Sequence, residues 1–241
     1  MLYIVGFGPG NFEGMTVAAQ KAIEASELIV GYTVYAELME KIFPEKEYYS
    51  TPMRQEKERV MYALEQSLSK TVSVVCSGDS VIYAMAGLAY ELAGKYFPDA
   101  VIETVPGVTA AVSGSAVLGA PLTADFAVIS LSDLLTPWKK IEKRIECAAI
   151  GDMTTVIYNP SSKKRADHLQ RVCDIFLKYR SPDTVCGYVK NIGREGQEHK
   201  LMTISELRNE QVDMFTTVFI GSSETKEIQG KMVTPRGYRN E

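Results

Sequence analysis

Little in this chain invites a metal, a disulfide framework or a membrane. It carries four cysteines and two histidines in 241 residues. Cys76, Cys147, Cys173 and Cys186 are scattered, with no Cys-x-x-Cys spacing and no histidine pair beside them. Four buried, reduced thiols are therefore expected, without structural zinc or an iron–sulfur centre. Apolar runs are short, far below the roughly 18 residues a membrane helix needs. The chain goes straight into a strand pattern at Leu2 rather than a signal-peptide pattern. A cytoplasmic protein with no membrane partner is expected. Positive charge is also scarce: 26 Lys and Arg against 30 Asp and Glu give a net charge of −4. Without a basic stripe, nucleic acid is not the default partner. Low-complexity segments and fixed-period repeats are missing too.

What is present is a recurring unit. Four short apolar runs each end in a turn of glycine, proline or small polar residues. Leu2–Val5 runs into Gly6-Phe7-Gly8-Pro9-Gly10, and Val72–Cys76 into Ser77-Gly78-Asp79. Val101–Val105 runs into Pro106-Gly107-Val108-Thr109, and Thr155–Tyr158 into Asn159-Pro160. Strand, tight turn, helical pattern is the βα unit of an open parallel sheet, and ligands of such sheets bind beyond the carboxyl ends of the strands. Helices are expected at Val17–Ala25 behind a Thr16 cap, at Val34–Ile42 behind Thr33, at Gln55–Leu68 and at Val81–Leu92. Thr109 is expected to cap a helix over Thr109–Leu118 whose small residues suit either core packing or a flat ligand. The pattern breaks at Gly119-Ala120-Pro121-Leu122, which divides the chain into residues 1–119 and 120–241. In the second half, strands are expected at Phe126–Ser130, Thr155–Tyr158 and Thr184–Lys190. Helices are expected at Lys139–Ala149 and Ala166–Tyr179, and His199–Thr203 is placed to pair with Phe215–Ile220.

The opening glycine loop fails as a dinucleotide fingerprint. Asn11 stands where the third glycine belongs, Pro9 removes a backbone donor, and Glu13 would repel phosphate. Asp79 reads as a carboxylate for ribose hydroxyls or as the cap of the helix expected near Val81, the commoner role. Ser130, Ser132, Asp133 and Thr136 follow a hydrophobic strand directly and Trp138 closes the segment, the composition of a binding loop. The alternative is that Asp133 or Thr136 caps a helix starting at Pro137. Basic residues gather at Lys139, Lys140, Lys143 and Arg144, at Lys163, Lys164 and Arg165, and at Arg236 and Arg239. Arg236, fixed between proline and glycine, suits a carboxylate. His168 and His199 read as surface residues.

Taken together these motifs resemble the tetrapyrrole methylase family, from Gly6-Phe7-Gly8-Pro9-Gly10 to Val218-Phe219-Ile220-Gly221. The segments Ile29–Tyr35, Gly119–Leu122, Asp125–Trp138, Tyr158–Lys163, Gly193–Gly196, Asp213–Thr217 and Thr234–Tyr238 resemble the branch that methylates carbon 17 of precorrin-3B, or its cobalt form, with ring contraction in cobalamin biosynthesis. The resemblance implies two α/β domains with mixed and parallel sheets, the S-adenosylmethionine cofactor in the cleft between them, and a homodimer acting on a small tetrapyrrole. It assigns cofactor contacts to Pro9, Ser77, Gly78, Asp79, Ile82, Thr109, Ala110, Tyr158, Asn159 and Gly193. Macrocycle contacts fall to Ser130, Ser132 and Arg236, and proton transfers to Asp133 and Asp125. One departure stands out: Ser80-Val81 occupy positions where the family commonly has proline or alanine, then glycine. Another tetrapyrrole methylase, or a non-catalytic tetrapyrrole carrier, are the competing readings.

Overall fold

The computed structural model describes residues 1–162 and 165–238 and separates into two compact units, Met1–Ala110 and Ala111–Glu241. In the first unit, β1 (Leu2–Gly6), α1 (Val17–Ala25), β2 (Leu28–Tyr32), α2 (Thr33–Glu40), β3 (Glu47–Thr51), α3 (Glu56–Gln66), β4 (Val72–Cys76), α4 (Ala86–Tyr96) and β5 (Ile102–Val105) alternate along the chain. The strands form one all-parallel sheet in the order β3-β2-β4-β1-β5. Both faces are covered, so the strands read as continuous apolar runs. Leu2, Ile4, Val72 and Val74 face α3 and α4 through Val60, Leu64, Ala89 and Leu92. Val5, Ile29 and Val75 face α1 and α2 through Ala19, Ile23 and Met39. The two side-chain sets alternate along each strand because the strand period is two.

In the second unit come α5 (Ala110–Leu118), β6 (Gly119–Ala120), β7 (Phe126–Ser130), α6 (Trp138–Ile150), β8 (Thr154–Tyr158), α7 (His168–Phe176), β9 (Val185–Lys190), β10 (Glu198–Thr203), α8 (Ile204–Leu207), β11 (Thr216–Ile220), β12 (Lys226–Ile228) and β13 (Lys231–Val233). Its main sheet is mixed, in the order β10-β9-β11-β8-β7, with β7 and β8 parallel and the other neighbours antiparallel. α6 and α7 cover one face through Ile141, Ile145, Val172 and Phe176. α5 covers the other, where a Cβ on Gly114 would lie 2.9 Å from the Phe219 ring. The small residues of α5 thus admit close helix–sheet packing. A third sheet joins β12, β13 and β6.

Several expectations need correction. The helix expected from Val81 begins at Ala86, because Tyr83 takes a left-handed φ of 55° in the preceding turn. Thr33 is the first residue of α2 and not its cap. Pro137 itself occupies the cap position of α6 without a side-chain cap, so neither Asp133 nor Thr136 fills that role. β10 and β11 do not pair: both flank β9. Cys147 is exposed, whereas burial pushes the thiols of Cys76 and Cys173 up to about 11 and about 12.

Candidate active site

In the first unit β1 and β4 lie side by side, and their connections carry α1 and α4 to opposite faces. That is the switch point at which open sheets bind ligands. Three turns meet there. Gly8 and Gly78, both at a φ of 72°, exchange backbone hydrogen bonds: Gly8 N donates to Gly78 O at 2.9 Å and Gly78 N to Gly8 O at 2.8 Å. A left-handed φ of this kind suits glycine because it lacks a Cβ. A Cβ on Gly6 would lie 2.7 Å from Gly78 O and 2.8 Å from Gly107 N, and one on Gly107 would collide with the Gly78 and Gly6 carbonyls. The turns after β1, β4 and β5 therefore touch main chain to main chain.

Asp79 fastens them. Its Oδ1 accepts from the amides of Val81 at 2.8 Å and Ile82 at 3.1 Å, while Oδ2 accepts from Gly107 N at 3.1 Å. A carboxylate has about four acceptor positions, which leaves roughly one for a hydroxyl of a ligand. Thr16 caps α1 by accepting from Ala19 N at 3.0 Å and donates to Pro106 O at 3.1 Å, tying that helix to the β5 turn. Val81 needs no glycine-like backbone, and its side chain is 63% exposed. Ser80 is fully buried, and its hydroxyl lacks a hydrogen-bond partner. Residues 6–15, 77–85 and 106–110 contain no Lys or Arg, only Glu13 and Asp79 as charges. A sulfonium cation with a ribose and an adenine fits such a setting: no cation repels it, one carboxylate position remains, and glycines allow close approach.

In the second unit β7, β8 and β9 point the same way, which brings their following loops to one end of the sheet. Asn159, at a left-handed φ of 53°, donates through Nδ2 to Ser130 Oγ at 2.9 Å, and Ser132 N donates to the same oxygen at 3.2 Å. The Tyr158 hydroxyl accepts from Ala111 N at 2.8 Å in the first turn of α5. Gly193, at a φ of 68°, donates its amide to Gln197 Oε1 at 2.7 Å.

Beside Ser132 lies a cluster that reading the sequence missed. His168, expected at the surface, is only 5% exposed. Its Nδ1 stands 3.2 Å from Leu131 O, and since a carbonyl only accepts, Nδ1–H donates. Nε2 then faces Asp133 Oδ2 at 4.0 Å. Arg165 donates from Nη1 to Leu131 O at 3.3 Å and from Nε to Ser162 Oγ at 3.0 Å, with Nε 3.8 Å from Asp133 Oδ1. The Trp138 ring lies 4.3 Å from that of His168 and carries Arg171 at 4.1 Å. The only sequence signal was that a histidine opening a helix with Leu169, Val172, Cys173 and Phe176 continues its buried stripe.

The structure thus groups Ser130, Ser132, Asp133 and Asn159 at one end of this sheet. It sets Asp125 apart, before the first residue of β7 and so about 16 Å of strand away from Ser130. Arg236 is exposed beyond β13. Lys163, Lys164 and Arg239 lie outside the described residues.

Known proteins resemble this chain along most of its length. The model of the Tetrapyrrole (Corrin/Porphyrin) Methylases matches residues 1–208. A cobalamin biosynthesis protein, CbiHC, of Archaeoglobus fulgidus is 44% identical over 99% of this chain and 53% of its own length. A probable cobalt-factor III C(17)-methyltransferase of Salmonella typhimurium is 42% identical over 99% of both chains. The chain thus spans about half the length of the first curated relatives and nearly all of the Salmonella one. Among solved structures, the methyltransferase CobJ superposes with a TM-score of 0.89 at 31% identity, covering 97% of this chain and 99% of that one. A family match over most of the sequence, joined to a parallel and a mixed five-stranded sheet and to glycine-tight turns at the β1–β4 switch point, places this chain in the tetrapyrrole (corrin/porphyrin) methylases, to which it belongs.

Proposed function

We propose that this protein is an S-adenosylmethionine-dependent methyltransferase that methylates carbon 17 of cobalt-factor III or a precorrin-3B-type macrocycle in cobalamin biosynthesis. The observation that carries the reading is the 42% identity to the Salmonella relative across 99% of both chains. Cobalt belongs to the substrate; among the described residues no group of His, Cys, Asp and Glu is arranged to hold a metal.

The cofactor supplies an electrophilic methyl group, and the chain's part is alignment. In-line displacement at a sulfonium needs orientation more than a strong base, which suits turns built from main chain. Pro9, Ser77, Gly78, Asp79, Ile82, Thr109 and Ala110 are assigned to the cofactor in the first unit, with Asp79 taking a ribose hydroxyl on its remaining acceptor position. In the second unit Tyr158, Asn159 and Gly193 keep the same assignment from the resemblance. Ser130, Ser132 and Arg236 are assigned to the macrocycle and its carboxylates, and Asp133, rather than the distant Asp125, to proton transfer. A cytoplasmic homodimer completes the reading; no helix among the described residues is long and apolar enough to cross a membrane.

Mass spectrometry tests this directly. Incubation with S-adenosylmethionine and cobalt-factor III should yield a macrocycle heavier by one methyl group together with S-adenosylhomocysteine. Formation of neither would refute the assignment.

A further inference from the structure

His168 plays no part in any motif of the sequence, yet the fold holds it with care. It is 5% exposed, its Nδ1–H is committed to Leu131 O, and its ring lies against Trp138. What remains is Nε2, turned toward a carboxylate that is itself 39% exposed. The charged groups around it are Asp133 from the loop after β7 and Arg165 from the segment before α7, with Arg171 of α7 on the Trp138 ring. A histidine wanted only for packing would gain nothing from an Nε2 facing Asp133.

We propose that His168 is a positioning residue which, through Asp133, makes a proton-accepting pair for the methylation; this rests on the function proposed above. The chemistry requires an acceptor. A macrocycle carbon that takes the methyl group forms the new C–C bond with its own electron pair, while the pair of the broken S–C bond stays on sulfur. The macrocycle gains one positive charge and must shed a proton. Asp133 presents a carboxylate oxygen to receive it, and His168 Nε2, 4.0 Å from Asp133 Oδ2, faces that carboxylate from the buried side. Arg165 orients the carboxylate through the other oxygen. The proton leaves to water once the product departs, so the pair returns to its starting charge.

Two measurements test this. The first does not depend on turnover. With two histidines in the chain, the ring nitrogens are readily resolved by NMR. The neutral His168 ring should carry its proton on Nδ1, and Asp133→Asn should move its Nε2 resonance while sparing His199. A neutral ring protonated on Nε2, or a resonance indifferent to Asp133→Asn, overturns the pairing. The second follows S-adenosylhomocysteine and the finished macrocycle separately in single turnovers. His168→Gln should slow the finished product about tenfold more than it slows S-adenosylhomocysteine, and Asp133→Asn about a hundredfold more. The double variant should be no slower than Asp133→Asn alone, because the two act as a unit. His168→Gln should lower the rate of the later phase without changing the substrate KM. Equal slowing of both phases, or additive losses, overturns the proposal. If the wild type forms no S-adenosylhomocysteine from the macrocycle, the proposed function fails, and the NMR result still decides whether the pair exists.

Discussion

The two loop clusters are built from different materials. In the first unit, Gly6, Gly8, Gly78 and Gly107 bring three turns into main-chain contact, and one carboxylate, Asp79, fastens them. In the second unit the loops after β7 and β8 are joined by side chains: Asn159 to Ser130, Arg165 and His168 to Leu131 O, with Asp133 between them. A main-chain cluster is rigid and chemically quiet, which suits a cofactor that must be aligned. A side-chain cluster can exchange protons, which suits a substrate that must be changed.

The sharpest test of the difference adds one methyl group. Gly107→Ala should destabilise the protein by about 3 kcal/mol or more, since the new Cβ meets two carbonyls that cannot move apart cheaply. Gly87→Ala, with open space around it in α4, should raise the melting temperature slightly. Equal effects in thermal melts would show that the glycine contacts are not tight. Next in size, Asp79→Ala removes the acceptor of three amides and should weaken S-adenosylhomocysteine binding by about tenfold or more, with Asp79→Asn between it and wild type. Unchanged calorimetric affinity would reduce Asp79 to a tie between turns.

Acid should distinguish the clusters' parent units as well. Asp152 and Asp213, both in the second unit, have carboxyls held below the usual range. For each, burial pushes upward but is outweighed: by Ser223 and Arg180 at Asp152, and by Phe215 N, Lys190 and Thr216 at Asp213. A folded value below the unfolded one means their stabilisation is full above about pH 4 and is lost as the pH falls through the lowered values. Asp152→Asn should cost about 1–2 kcal/mol at neutral pH, at the low end for a pair with buried Arg180 because Asp152 is itself 41% exposed. It should also shift the acid-unfolding midpoint upward, which denaturant melts across pH would show. The smallest effects are expected outside both clusters. Arg236→Ala should raise the macrocycle KM several-fold and leave cofactor affinity alone, and Asp125→Asn should change turnover by less than about twofold. A loss with Asp125→Asn matching that of Asp133→Asn would break the separation of the two carboxylates along β7.

How far the sequence discloses all this depends on how local each signal is. Thr16 with Val17–Ala25 was legible because a cap and an apolar stripe lie within one helix. The turns after β1, β4 and β5 were legible because glycine is rarely tolerated without a reason. The start of α4 was not: Val81-Ile82-Tyr83 continues an apolar run, and only the left-handed Tyr83 and the Asp79 carboxylate hold it out of the helix. β9 between β10 and β11 was hidden because antiparallel partners can be far apart in sequence. The His168–Asp133 pair was hidden for the same reason, since 35 residues separate groups that meet only when β7 lies beside β8.

The central claim is that these turns hold S-adenosylmethionine. Calorimetric titration of the wild-type chain with S-adenosylhomocysteine measures it most directly. One saturable site per chain is predicted, weakened in Asp79→Ala and retained in His168→Gln. A wild-type protein that binds none would contradict the account.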